Sequence, residues 1–192
     1  LTRMKLALSV MDENEDTLAL RNDVEEMQRL VDEFLSFARG DALDDMALTD
    51  PASLAEDVVK SAERAARDVS IDRLIEKGSM MMMRPMAVAR ALDNLIANAV
   101  FYGTRAWVSV DQLENAVRFR VEDDGPGIPK SLQNEALKPF ARLDSSRNQS
   151  GRPGVGLGLA IAADIARNHG GRLSLDESRR FGGLQADLII AR

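Results

Sequence analysis

The chain predicts an α+β fold, a two-layer α/β sandwich preceded by an antiparallel helical hairpin. Three observations carry that reading. Apolar residues recur three and four apart up to about residue 38. Beyond a break rich in glycine and aspartate, helical stretches are interleaved with runs that alternate at a period of two. Late in the chain a glycine run merges directly into a strongly apolar helix.

In the opening stretch Leu1, Met4, Leu8 and Met11 form one helical stripe, and Leu20, Val24, Met27, Val31, Phe34 and Ala38 form another. The acidic loop "DENEDT" lies between them, with Asp16 or Thr17 as the expected cap of the second helix and Asp23 and Glu25 favourable near its start. Two short helices with one apolar seam each leave both flanks uncovered, whereas two hairpins side by side make a four-helix bundle. A homodimer through the hairpin is therefore expected; a hairpin folded back on its own chain is the alternative. The chain opens at Leu1 in what reads as the middle of a helix, and is expected to be a fragment of a longer protein.

The expected division is a hairpin over 1–45 and a second domain over 46–192. Gly40 and clustered aspartates mark the linker. Pro51 opens a helix to about Arg67, with Asp50 as its cap. "VSIDRLIE" and "SMMMM" read as a strand pair turning at Lys77 and Gly78. A helix runs from Pro85 to about Tyr102, and "RAWVSVDQL" and "AVRFRVED" make a hairpin through Glu114 and Asn115. The helix "LGLAIAADIARNH" follows, and the strands "GRLSLDE" and "GLQADLIIA" close the chain. Helices packed on one side of a mostly antiparallel sheet give the two layers.

Composition narrows the function. A formal net charge of -6 argues against nucleic acid or an anionic membrane as partner, because such grip needs clustered Lys and Arg. No cysteine is present, which excludes disulfides, thiolate zinc sites and cysteine nucleophiles and permits a reducing compartment; a cytoplasmic location is expected. No apolar run approaches a membrane span, and "LTRMKLALSV" is too short and mixed for a signal peptide.

Three stretches carry chemistry. "VEDDGPGIP" ends a strand on Asp123 and Asp124 and then turns through two glycines, a plain turn unless something sits on it. In "ARALDNLIANAVFYG", Asn94 and Asn98 lie four apart on one helix face, with Arg90 and Phe101 near the same stripe. Asparagine inside a helix costs roughly half a kcal/mol against alanine, so propensity did not select the pair. An amide oxygen suits Mg²⁺, which keeps several waters and bridges to phosphates; a solvated or capping role is the plainer alternative. In "GRPGVGLGLAIAADI", Gly154, Gly156 and Gly158 lead into a helix whose N–H groups and positive end can meet a phosphate. The run lacks the Gly-Lys-Ser/Thr ending of a Walker A loop and the spacing of a dinucleotide fingerprint, and the partner motifs of a protein-kinase loop are missing.

In this order the pieces resemble the catalytic half of a sensor histidine kinase, with the Bergerat or GHKL nucleotide-binding fold shared by gyrase, Hsp90 and MutL. The N box is "DNLIANAVFYG", the first glycine box "DDGPGI", the F box "PFARLD" and the second glycine box "GVGLGLAI". The opening "LTRMKLALS" and the wording of the glycine boxes are most similar to the EnvZ-type osmosensor kinases.

The resemblance implies ATP and Mg²⁺ as cofactors. Asp123 matches the carboxylate that accepts the adenine amine, which selects against guanine, and Gly125 and Gly127 would let the backbone approach the ring. Asn98 matches the metal ligand, with Asn94 supporting metal or phosphate one turn earlier. Tyr102, Ile128 and Phe140 fall in the motifs that surround the nucleotide, as do Gly154, Val155, Gly156, Leu157 and Gly158. Residues 142–155 match a mobile lid whose Arg142, Arg147 and Arg152 are candidate phosphate contacts; Arg142, Asn94 and Asn98 form the expected catalytic set. ATP-hydrolysing members of the fold carry a glutamate where Asn94 stands, so phosphoryl transfer is expected in place of attack by water. Implied partners are a second copy and the receiver domain of a response regulator, and the parent protein would be anchored in the bacterial inner membrane with this region in the cytoplasm.

Two departures qualify the match. The acceptor histidine would lie a few residues before Leu1; the only histidine, His169, is expected to serve its helix end, so this chain is expected to bind ATP without phosphorylating itself. Phe101 stands where the family carries Lys or Arg, a loss of roughly 1.5–3 kcal/mol of charge-assisted contact. The alternative function is a dimeric nucleotide-binding pseudokinase scaffold; an ATPase of the gyrase kind is a third, opposed by Asn94.

Overall fold

The computed structural model describes residues 3, 4, 6, 10, 11, 14, 16–24, 27, 28, 31, 44–65, 67–73, 75, 76, 78–141, 143 and 156–192. Residues 16–24 are helical. The cap of this helix is Asn14, not Asp16 or Thr17: the Thr17 N–H donates to Asn14 Oδ1 at 2.8 Å, and the Asn14 N–H donates back to Thr17 Oγ1 at 2.8 Å. Such a reciprocal pair satisfies two backbone donors at once, which a single cap cannot. Of the second stripe Val24 is buried, whereas Leu20, Met27 and Val31 are exposed. Leu1, Leu8, Phe34, Ala38 and Gly40 lie outside the described residues.

The remainder begins with strand β1 (Ala47–Thr49) and helix α1 (Pro51–Arg64). Pro51 supplies its fixed φ at the first helical position and Asp50 Oδ1 accepts from the Ala52 N–H at 3.1 Å, as expected of the pair. Strands β2 (Val69–Arg73) and β3 (Met81–Met83) follow, then helix α2 (Pro85–Tyr102). Strands β4 (Ala106–Gln112) and β5 (Ala116–Asp123) make the expected hairpin, closed by Leu113 N–H to Ala116 O at 2.8 Å. A seven-residue helix α3 (Lys130–Ala136), helix α4 (Gly158–Asn168), and strands β6 (Arg172–Glu177) and β7 (Leu184–Ala191) complete the order.

Five strands form one sheet in the order β2-β4-β5-β7-β6, antiparallel except for the parallel β2–β4 pair. The expected pairing of β2 with β3 is wrong. β3 pairs with β1 in a separate two-stranded sheet, Leu48 opposite Met82, while β2 joins the edge of the main sheet beside β4. A parallel neighbour needs a crossover, and α2 provides it.

Helices α1, α2 and α4 pack together over one face of the sheet. Val108 and Val110 of β4, Val117, Phe119 and Val121 of β5, and Leu188 and Ile190 of β7 point into that layer with Leu92, Leu95 and Ile96 of α2. The opposite face is polar. There Arg120 donates to both carboxylate oxygens of Asp187, at 2.6 and 2.8 Å, and Arg118 donates to Asp111 at 2.6 Å. In β3 a run of identical side chains alternates, with Met81 and Met83 buried and Met82 48% exposed.

Candidate functional site

Strand β5 delivers Asp123 to its end facing the helices, because the alternation that buries Val117, Phe119 and Val121 puts the next inward position there. The residue is 4% exposed, and its Oδ1 accepts from the Gly125 N–H and the Leu184 N–H, each at 2.9 Å. Oδ2 has no protein donor among the described residues. Burial pushes the carboxyl above its ordinary value, against the lowering effect of the two N–H bonds.

Asp124 behaves oppositely. Its carboxylate accepts from the Thr104 hydroxyl, from the Thr104 N–H at 2.7 Å and from the Arg105 N–H at 3.2 Å, and these bonds draw it down to about 2. The adjacent acids thus divide the work. Asp124 ties down the loop after α2, and Asp123 faces an open cavity of about 340 Å³.

Asn98 and Tyr102, one turn apart on α2, line that cavity with Asp123, Gly127 and Ile128. Apolar walls come from Leu132 and Ala136 of α3, Ala141, Leu143 and Leu159. The volume and the mix of apolar wall with few polar groups suit a small organic ligand. Asn94 lies one turn back along α2, where its Cβ is 3.7 Å from the position a Cβ on Gly158 would take. Its Nδ2 is buried with no hydrogen-bond partner among the described residues. Helix α4 starts at Gly158 with no side-chain cap, so its first N–H groups are unsatisfied by side chains.

Of the expected site residues, Asn98, Tyr102, Asp123, Gly127, Ile128 and Gly156 meet around the cavity. Asn94 and Gly158 meet beside it, and Leu157 is fully buried under the start of α4. Gly125 closes the turn against Asp123 and the Tyr102 carbonyl, where a Cβ would come within 3.0 Å of both. Phe140 is exposed, with φ 65°, and donates its N–H to Gly156 O; its neighbour Ala141, not its ring, lines the cavity. Arg142, Arg147, Arg152, Gly154 and Val155 lie outside the described residues. Phe101 is 47% exposed and is not among the cavity-lining side chains; its ring meets Tyr102 edge-on.

Two contributors were not anticipated. The Leu184 N–H comes to Asp123 from β7, and Gly183 beside it is so close that a Cβ would fall 2.2 Å from Asp123 Oδ1. The glycine pair at 182 and 183 is the local signal, but its partner lies sixty residues upstream. His169 serves its helix end, as expected, and more. Its Nδ1–H donates to Ile165 O at 2.7 Å and its Nε2 accepts from the Arg84 N–H at 3.0 Å, which ties the end of α4 to the start of α2.

A family model described as "Histidine kinase-, DNA gyrase B-, and HSP90-like ATPase" matches residues 83–188. The chain is 32% identical over 193 residues to the sensor histidine kinase GtrS of Pseudomonas aeruginosa, covering 100% of this chain and 39% of GtrS. It is 32% identical to the sensor protein RstB of Escherichia coli, covering 95% of this chain and 43% of RstB. It therefore spans about two-fifths of the length of these curated relatives. The solved histidine kinase domain of the E. coli osmosensor EnvZ aligns with a TM-score of 0.55 at 33% identity, over 77% of this chain and 88% of that one.

Proposed function

We propose, from the premise that this chain belongs to the family of histidine kinase-, DNA gyrase B- and HSP90-like ATPases, that it is the ATP-binding catalytic region of a two-component sensor histidine kinase. The observation that carries the reading is Asp123. A carboxylate on the wall of a largely apolar cavity, held through one oxygen by two backbone N–H groups and with no protein donor to the other among the described residues, is a fixed acceptor for the exocyclic amine of adenine. Guanine presents an oxygen there and is repelled.

The triphosphate would then run towards Asn98, Asn94 and the uncapped start of α4, whose N–H groups favour an anion. The orphaned Asn94 Nδ2 suits a phosphate oxygen, and the Asn98 amide suits Mg²⁺. A single neutral ligand fits a metal that takes its other ligands from phosphate and water, and no cluster of three or more His, Cys, Asp or Glu occurs among the described residues. When bound, Mg²⁺ neutralises charge on the phosphates. The protein's part is positioning: an adenine floor, a helix end and an amide pair. Arg142, Arg147 and Arg152, which lie outside the described residues, are the candidate phosphate contacts.

Asn94 separates transfer from hydrolysis, since an amide takes no proton from water at neutral pH. Its neighbour Asp93 is not a substitute, because its carboxylate is paired with Arg67. The γ-phosphoryl is therefore passed to an imidazole on the hairpin of the parent protein and then to an aspartate on a response regulator. The exposed Leu20, Met27 and Val31 support dimerisation through that hairpin. The parent is membrane-anchored; no helix among the described residues is long and apolar enough to cross a membrane. The likeness to the sensor histidine kinase GtrS and the sensor protein RstB favours the kinase over the pseudokinase scaffold.

Calorimetric titration with ATP and Mg²⁺, beside Asp123→Ala and Asn98→Ala, tests the reading. Binding abolished by Asp123→Ala and weakened by Asn98→Ala or by metal removal is the expected result. An intact chain that binds no ATP, or binds GTP equally, overturns it.

A further inference from the structure

The turn from Ser178 to Gly183, between β6 and β7, reaches both faces of the sheet. On the helix-facing side its last residue abuts Asp123: a Cβ on Gly183 would lie 2.3 Å from the Asp123 carbonyl oxygen and 2.6 Å from the Gly125 nitrogen. The next residue, Leu184, donates the N–H that Asp123 Oδ1 accepts. Leu184 opens β7 opposite Glu177 of β6, so the turn that joins these two strands and the ladder beyond it together set where that donor stands.

On the polar face the turn is fastened by side chains. Ser178 is fully buried; its hydroxyl donates to Glu122 Oε1 at 2.8 Å and accepts from the Phe181 N–H at 3.1 Å. Its N–H donates to Gly183 O and its carbonyl accepts from the Gly182 N–H, each at 2.8 Å, so the loop closes on itself. The Phe181 ring lies flat on Trp107, centroids 3.6 Å apart and planes within 4°. Arg180 covers the Phe181 ring at 4.7 Å and pairs with Asp72 of β2. Trp107 and Glu122 are cross-strand partners in the β4–β5 hairpin, and Glu122 immediately precedes Asp123. A buried hydroxyl bond therefore clamps the turn to β5, the strand that carries the acid, and an aromatic stack clamps it to the neighbouring strand β4.

Resting on the reading of Asp123 as the adenine floor, we infer that Phe181, Ser178 and Trp107 are positioning residues for adenine selection. They touch no nucleotide. They act through the turn, holding the Leu184 N–H and the Gly183 backbone so that Asp123 Oδ2 is aimed into the cavity. Loosening the clamp frees the carboxylate to rotate, which weakens the bond to the amine and leaves the contacts made to ribose and phosphates as they were.

Affinities for ATP and for purine riboside triphosphate, which differs only in lacking the amine, are measured on the chain and on Phe181→Ala, Ser178→Ala and Phe181→Tyr. The intact chain is expected to prefer ATP by roughly tenfold or more, the worth of one charge-assisted bond. Phe181→Ala and Ser178→Ala are expected to bring that ratio near one by weakening ATP alone, and Phe181→Tyr, which keeps the stack, to restore it. Arg179→Ala, an exposed change on the same turn, is expected to leave the ratio unaltered. Circular dichroism at low temperature identifies the variants that are folded, and Ser178→Ala carries the test where Phe181→Ala is not. Folded variants that keep the full preference, or that lose both nucleotides in proportion, overturn the inference while the ATP reading stands. An intact chain without amine preference overturns both.

Discussion

His169→Ala separates a structural histidine from a reactive one. Removing the imidazole leaves the Arg84 N–H at the start of α2 without its acceptor, a loss of about 1–3 kcal/mol for a buried donor. Ile165 O keeps the backbone bond from residue 169, so its loss is smaller. Adding the packing lost at a position 8% exposed gives a destabilisation of about 2–4 kcal/mol. For a chain of this size that is a fall in Tm of roughly 5–15 °C. None of the residues lining the cavity is His169, so ATP affinity should stay within about twofold of the intact chain at a temperature where both are folded. Thermal denaturation, ATP titration and retention of label from γ-labelled ATP are the three assays. A Tm unchanged within about 1 °C would mean that the ring contributes nothing to the fold. Label retained by the intact chain and lost in the variant would make His169 a phosphoacceptor and refute the assignment of both its nitrogens to structural bonds.

Gly183→Ala should cost about 1–3 kcal/mol through overpacking against Asp123 and abolish measurable ATP binding, because the atoms it meets are a buried carboxylate and backbone. Gly182→Ala, at φ +84° with nothing within 4 Å, should cost about 1–2 kcal/mol of left-handed strain and leave ATP affinity intact; equal affinities in the two variants would contradict the contact. The two adjacent acids should titrate with opposite sign in urea denaturation between pH 2 and 7. Asp124, depressed to about 2, contributes stability that is complete above the ordinary carboxylate range and lost as pH falls through about 2, so the advantage over Asp124→Asn should vanish there. Asp123, raised by burial, is penalised when ionised, so Asp123→Asn should stabilise the free protein at neutral pH, with the gain fading on acidification. ATP affinity should move the other way, falling as Asp123 takes up its proton, with a smaller pH dependence in Asp123→Asn; an affinity equally sensitive in both would show that the carboxylate does not meet the base.

Elements with a local signature were legible from residue order. Helix α2 carries its proline and its period within eighteen residues and its terminal glycine immediately after them, and the β4–β5 hairpin carries its own turn, so both are legible almost to the residue. The β2–β3 pairing was misread because sequence adjacency and a glycine at 78 mimic a hairpin, whereas the partners were chosen by distant strands. β1 has three residues inside an aspartate-rich linker and α3 has seven, too few for a period to appear. The same division holds at the site. Asp123, Asn98 and the glycines at 125, 127 and 156 declare themselves within motifs, while the Leu184 N–H and the Phe181 ring act on partners more than sixty residues away in the chain.

The alternation along β3 distributes one kind of side chain over two environments, and in a chain without cysteine the methionines carry all of the sulfur. Peroxide reaches an exposed thioether and turns it into a polar sulfoxide, whereas a buried one is shielded until the structure opens. Met82, with Met80 and Met86 also exposed nearby, takes the oxidant while the fold persists; Met81 and Met83, at 3% and 0% exposure, are spared. These three side chains sit on or beside the small β1–β3 sheet and at the start of α2, away from the residues lining the cavity, so they are a sacrificial surface. Oxidation appearing at Met81 or Met83 would register loss of the core itself, which makes neighbouring positions on one strand an internal chemical gauge of damage.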